Sequence, residues 1–274
     1  MAVALLDLVE KALRVAKQAL GNQAGKPEYD GLPREAHIVA HCIRKEEDHT
    51  FTELVDQLGL MPDVCDRLGI HSEALPDPTT FYYSLERYAM YIWRALLRVS
   101  AQQLRQSGHV ALDSTFFERK QASQYYFQRS GRPVKTVKVT TLTDTESLAV
   151  LDVHCCIERE HDTKAGPRVV RRNADDLQTV VADNGFQDWH SEQEMGAHGF
   201  EYRAHHRGSK PMAVAHNVLN RLNGYTQRWM AETSYSTLKR TQASALRSRF
   251  WYQQFREIVL TFALHNIKQT LGKL

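Results

Sequence analysis

Val110-Ala111-Leu112-Asp113-Ser114-Thr115-Phe116-Phe117 is a β-favouring run with one acid set among apolar residues. The residues downstream of it also have the texture of strands. Val134–Thr143 alternates Val134, Thr136, Lys138 and Thr140 with Lys135, Val137, Val139 and Thr141. Leu148–Ile157 is a further strand pattern, and Asp144-Thr145-Glu146-Ser147 between the two reads as a hairpin turn. Three consecutive strands, each antiparallel to the one before, are therefore expected. Arg168–Asp176 then reads as a short helix, and Leu177–Ala182 as an apolar strand that ends at Asp183. Asn184-Gly185 breaks it. Next come a helix over Phe186–Gly196, a fifth strand over Phe200–His205, and helical sequence to about Lys239 with an irregularity at Gly224. Phe250–Leu271 reads as a last amphipathic helix. The order β-β-β-α-β-α-β-α-α implies a mixed sheet covered by helices.

Residues upstream of this region read differently. Over 1–105 the pattern is helical, with a loop at Gly21–Pro33 and a helix around Arg34–Arg44. Two short helices, Phe51–Leu58 and Pro62–Leu68, are parted by Gly59-Leu60-Met61. This pair fits either a DNA-reading helix-turn-helix or a small packing unit, and no base-contacting residues select the former. Thr79 or Thr80 is a candidate cap for a long helix reaching about Gln106. The expected division is a helical region, 1–105, for DNA-end binding or dimerisation, then a catalytic domain, 106–274.

Composition limits the possibilities. The net charge is only +3, but from Glu201 onward 12 Lys and Arg face three acids, leaving that end at +9 and the rest at −6. A basic C-terminal third suits a polyanion partner. Cys42, Cys65, Cys155 and Cys156 form no C-x-x-C pair, so they imply neither a zinc nor a disulfide framework. Asp7, Glu10, Lys11, Arg14 and Lys17 interrupt the apolar residues of 1–20, which reads as an amphipathic helix rather than a signal peptide. No run approaches membrane-spanning length, and a cytoplasmic, nucleoid-associated setting is expected.

The acids carry the chemistry. Asp113 lies within a strand and Asp183 at the end of Val180-Val181-Ala182. A carboxylate in such a place must accept hydrogen bonds or bind a cation, because burying it bare is costly. Either role satisfies one acid; two on separate strands of one sheet suit an oxygen-liganded cation such as Mg²⁺. Further along, Tyr225, Arg228, Glu232 and Lys239 recur at i, i+3, i+7 and i+14. On an ideal helix these fall within an arc of roughly 60°. The stripe is either a solvated face with an Arg228–Glu232 ion pair or a surface that meets an anionic ligand.

Tyr225-x2-Arg228-x3-Glu232-x6-Lys239 has the spacing of a signature found in DDE transposases of the insertion-sequence-four and -five groups. Asp183-Asn184-Gly185-Phe186 resembles that family's second-aspartate motif, and Leu112-Asp113-Ser114-Thr115 its first. The resemblance spans about 110–245, extends in character to the N-terminal helices, and is nearest to archaeal members. Tyr125–Arg132 reads as a small insertion.

The resemblance implies an α/β, RNase H-like fold: a mixed five-stranded sheet flanked by helices and preceded by the helical region. It implies that Asp113, Asp183 and Glu232 hold two Mg²⁺ or Mn²⁺ ions. The reactions would be hydrolysis at transposon ends and 3′-OH strand transfer into target DNA. Arg228 and Lys239 would contact phosphates and Tyr225 would support the end complex. Arg240, with Arg247, Arg249 and Arg256, continues the Lys239 side of the chain and is either a stripe that tracks the DNA backbone or a solvated face. The partners would be double-stranded DNA, as terminal inverted repeats and target, and a second copy of the chain when two ends are paired. The alternative is a catalytically silent, transposase-derived DNA-binding protein. Trp229 is read as core, Asp188 and Glu118 as surface charges, and His190, His205 and His206 fit no clear metal spacing.

Overall fold

The computed structural model describes residues 2–71, 75–119, 136–157, 160–241 and 245–272, with the side chains of 2–4 and 239–241 excluded. The expected insertion at 125–132 lies outside the described residues. Two compact units emerge: 1–104 with 248–274, and 105–247.

The first unit is helical. It contains α1 (Ala2–Leu20), α2 (Arg34–Glu46), α3 (Phe51–Gly59), α4 (Pro62–Leu68), α5 (Pro78–Arg87) and α6 (Met90–Gln102). The long helix expected to Gln106 is two helices. Tyr88 and Ala89 take extended backbone between them, and the cap is Asp77, which accepts from the Thr79 N–H at 2.8 Å. The last helix, Trp251–Thr270, expected with the sheet, packs in this unit against α6, α2, α1 and α5. Its burial explains why. Ile258, Val259, Leu260, Phe262, Ala263, Leu264 and Ile267 are all buried, so several of its faces need helical neighbours. Its polar residues are matched there: Glu257 pairs with Lys45 at 3.3 Å, Lys268 with Glu46 at 2.8 Å, and Asn266 donates to Ser100. Arg256 donates to the carbonyls of Leu85 and Glu86, which commits it internally rather than to a DNA-tracking stripe.

The second unit is built on β1 (His109–Arg119), β2 (Val137–Asp144), β3 (Val150–Cys156), β4 (Thr179–Ala182) and β5 (Glu201–Ala204), in the spatial order β3-β2-β1-β4-β5. β1–β2 and β2–β3 are antiparallel; β1–β4 and β4–β5 are parallel. The hairpin turn at 144–147 forms as expected: Asp144 Oδ1 accepts from the N–H groups of Glu146 and Ser147, at 3.0 and 2.8 Å. α7 (Asp162–Arg171) makes the crossover to β4, and α8 (Trp189–Ala197) the crossover to β5. α9 (Pro211–Leu222) and α10 (Trp229–Thr241) come next in the chain.

A sixth strand, β6 (Ala245–Leu246), departs from the five-stranded expectation; two residues are too few to show alternation. It runs parallel to the end of β1 at Glu118 and Arg119. β4 pairs β1 only as far as Leu112. Along this edge, the β1 positions between the two partners are 113–117, and Asp113 is the first of them.

Candidate active site

The parallel ladder places the two aspartates. Leu112 pairs with Ala182, so Asp113, within β1, and Asp183, just past the end of β4, stand at one level, about 5 Å apart at the main chain. Each side chain bonds to the next residue's amide: Ser114 N–H donates to Asp113 Oδ1 at 2.9 Å, and Asn184 N–H to Asp183 Oδ1 at 2.7 Å. The second bond turns the chain into a 3-10 turn over Asn184–Phe186. Packing around the glycines here is close, closest at Gly166. A Cβ on Gly185 would lie 3.2 Å from Asp162 Oδ2; one on Gly166 would lie 2.8 Å from the Phe186 ring and 3.0 Å from Leu112.

Ser114 faces α7. Its hydroxyl donates to Asp162 Oδ1 at 2.6 Å and lies 2.8 Å from Thr140 Oγ1, while Lys138 Nζ reaches the same carboxylate oxygen at 2.8 Å. The stretch next to Asp113 is thus held by a polar network spanning β1, β2 and the start of α7.

The other face is covered by α10 and the turn before it. Ala111, Val181, Tyr225 and Ala231 form one buried cluster. Tyr235 fastens the helix to the sheet: its phenol donates to the Asp113 carbonyl at 2.8 Å and meets Thr141 Oγ1 at 2.6 Å. Sequence reading missed Tyr235. Its spacing of three from Glu232, on a helix opposite a threonine-rich strand, was the available signal.

The helix expected to carry Tyr225 and Glu232 together is interrupted. Gly224, at φ +87, starts a 3-10 turn over Tyr225–Arg228, and the α-helix begins only at Trp229. Tyr225 is buried and stacks on His205, with ring centroids 3.5 Å apart at 10°. Burial pushes its phenol up to about 12. Arg228 pairs with Glu232 at 2.7 Å, and Glu232 is 56% exposed. Trp229, read as core, is 57% exposed. Asp188 caps α8 by accepting from Ser191 at 3.0 Å. The side chains of Lys239 and Arg240 lie outside the described residues.

Asp113 is the electrostatically exceptional group. Desolvation pushes it up to about 6; nearby Glu232 and Asp183 act in the same direction, against the Ser114 N–H and Arg228. Asp113, Asp183 and Glu232 therefore share one field, and Arg228 is a cation within it. Among the described residues no three His, Cys, Asp or Glu side chains are grouped to hold a metal ion. His206 stacks on His216 with centroids 3.8 Å apart and lies 3.4 Å from Glu192, an arrangement of rings and one acid.

Residues 105–267 match the family described as Transposase DDE domain, and the chain belongs to it. The fold is similar to that of piggyBac transposase, solved by cryo-EM as a synaptic complex with hairpin DNA. The TM-score is 0.53 at 10% identity, covering 99% of this chain and 74% of that one. No curated protein matches the sequence. The mixed sheet flanked by helices, with a helical N-terminal region, is that of a transposase.

Proposed function

We propose that this chain is an active DNA transposase of the insertion-sequence-four and -five type, with Asp113, Asp183 and Glu232 as its catalytic carboxylates. The observation that carries the reading is the Leu112–Ala182 pairing, which brings two acids from separate strands to one level beneath the helix that bears the third. The donor set is all carboxylate oxygen, the chemistry that suits Mg²⁺ or Mn²⁺. Asp113 fits such an ion: it is half-buried and desolvated, with its carboxyl shifted up to about 6 beside two further acids. Glu232 completes the set by turning away from Arg228, and that released guanidinium becomes available to a DNA phosphate.

When bound, two divalent ions supply an activated water or 3′-hydroxyl and stabilisation of the leaving oxygen. The chain's own residues do the rest. Asp113 and Asp183 present oxygens from rigid strand positions. Tyr235 holds α10 against β1, so that Glu232 enters from a fixed helix. Tyr225, stacked on His205, supports the turn that carries Arg228. The substrates are double-stranded transposon ends and target DNA, and pairing two ends requires two copies. Similarity to a transposase solved with hairpin DNA supports a DNA substrate.

The test is cleavage of labelled end DNA in Mg²⁺ or Mn²⁺, then joining to a target duplex. Asp183→Ala and Glu232→Ala should each abolish both products while DNA binding persists. Cleavage surviving either change would defeat the assignment. Specific DNA binding by the unaltered chain with neither product would favour a silent, transposase-derived binder.

A further inference from the structure

Helix α7 begins beside both candidate aspartates. Asp162 is its first residue and Gly166 lies one turn on, so the two share one face. That face meets the flanks of both acids. Asp162 Oδ1 accepts from the Ser114 hydroxyl at 2.6 Å, and Gly166 lies against Leu112, so α7 touches β1 on either side of Asp113. Gly166 also lies against the Phe186 ring, and a Cβ on Gly185 would stand 3.2 Å from Asp162 Oδ2. The same face therefore touches the turn that follows Asp183.

The hydrogen bonds here run in one direction. Asp162 stands in the first turn of α7, where the helix dipole favours an anion, and Lys138 Nζ pairs with it at 2.8 Å. An ionised carboxylate only accepts, so the Ser114 hydroxyl spends its one proton on Asp162. At 2.8 Å the donor to Ser114 is then Thr140, its cross-strand partner. Lys138 is fixed in turn by donating to the Glu160 carbonyl at 2.7 Å. Ser114 is thus held at both ends of its hydroxyl, and its main-chain N–H is the group that donates to Asp113 Oδ1 at 2.9 Å.

We propose that Asp162 is a positioning residue for DNA cleavage: one carboxylate braces Ser114 and the turn at Gly185, and through the neighbouring amides it orients Asp113 and Asp183. On the first side it acts through the Ser114 N–H. On the second it acts through the turn whose Asn184 N–H donates to Asp183 Oδ1 at 2.7 Å. Two residues beside the aspartates gain a reason together: Ser114 supplies a hydroxyl and Gly185 a missing side chain, because both lie on the same acid. Lys138 keeps Asp162 from adding an unbalanced negative charge beside the two acids. The inference rests on the proposed function and deepens it by naming what holds two of its carboxylates in register.

Single-turnover cleavage of prebound end DNA, measured apart from DNA affinity, tests this. Asp162→Ala should slow cleavage at least about tenfold, since small displacements of reacting groups are costly, while DNA affinity holds. Asp162→Asn keeps an oxygen that accepts from Ser114 and should recover most of the rate. Ser114→Ala should slow cleavage similarly, and combining it with Asp162→Ala should cost little more, because the two act as one unit. Amide hydrogen exchange of the full chain without DNA or metal reads the same brace independently of catalysis. In Asp162→Ala, residues 113–118 and 183–187 should exchange faster, with 144–147 unchanged. Equal losses of rate and affinity, restored no better by Asn than by Ala, would make Asp162 merely structural and overturn the proposal. So would additive losses, or unchanged exchange at either segment. If the unaltered chain cleaves nothing, the proposed function fails, and exchange alone decides the role of Asp162.

Discussion

Tyr235 and Asp113 are joined through the main chain: the phenol of one donates to the carbonyl of the other at 2.8 Å. The same phenol oxygen meets Thr141, the cross-strand partner of Asp113. One hydroxyl therefore ties α10 to two strands at the level of the candidate site. Tyr235→Phe keeps the ring and removes that tie, taking the phenol donor from the Asp113 carbonyl and leaving the Thr141 hydroxyl with Thr143, 3.5 Å away. A loss of about 1–3 kcal/mol in denaturant unfolding is expected. End cleavage should fall with it, because Glu232 is one turn away. Unchanged stability would mean that the bond contributes nothing.

Asp113 gives the fold a pH signature. Its carboxyl is raised above the ordinary value, so the folded chain keeps a proton that the unfolded chain releases between about pH 4 and 6. Stability from this group falls as pH rises through that window, and the full deficit is present above it. Asp113→Asn should therefore stabilise the protein near neutral pH by on the order of 2–3 kcal/mol, and hardly at all near pH 3. Thermal melts across pH test this. Mg²⁺ should raise the Tm of the unaltered chain more than that of the variant.

Arg228 sits between two roles. It pairs with Glu232 and also lowers the proton affinity of Asp113. Arg228→Gln should raise the Asp113 pKa above about 6 and free Glu232. Carbon-13 NMR titration of the aspartate carboxyls reads the first effect. DNA affinity should fall and become less salt-dependent. A shift of Asp113 in the other direction would contradict the proposed electrostatics.

Gly166 is a packing requirement. Its added methyl would lie 2.8 Å from the Phe186 ring and 3.0 Å from Leu112. Those residues flank the two aspartates, Leu112 before Asp113 and Phe186 after Asp183. Gly166→Ala should cost about 1–3 kcal/mol through overpacking and weaken cleavage by displacing the turn at Asp183. Full activity with reduced stability would separate the packing from the site.

Much of the sheet is legible in the sequence through its β-branched runs and turn residues. Val137, Val139, Thr140 and Thr141 announce β2, which is buried along its whole length, and Asp144 announces its turn. Asp113 and Asp183 are recognisable as acids at apolar strand positions. The features that escape depend on geometry that periodicity does not carry. The irregularity at Gly224 is legible, but not that Tyr225–Arg228 form a 3-10 turn, which takes Tyr225 out of the α-helix that carries Glu232. An amphipathic pattern shows that a helix such as Trp251–Thr270 is buried, but not which unit buries it. Tyr235 and Thr141 are ordinary residues until the fold sets one against the other.

The interposed position of β4 has a consequence for synthesis. β1 acquires its first neighbour, β2, directly in sequence, but its second only after β3 and α7 have been made. α10 comes later still. A chain interrupted before residue 229 would contain both aspartates yet lack Glu232 and the phenol that fastens the helix over them. Such a chain would carry β1 to β5 with the face of Asp113 left uncovered.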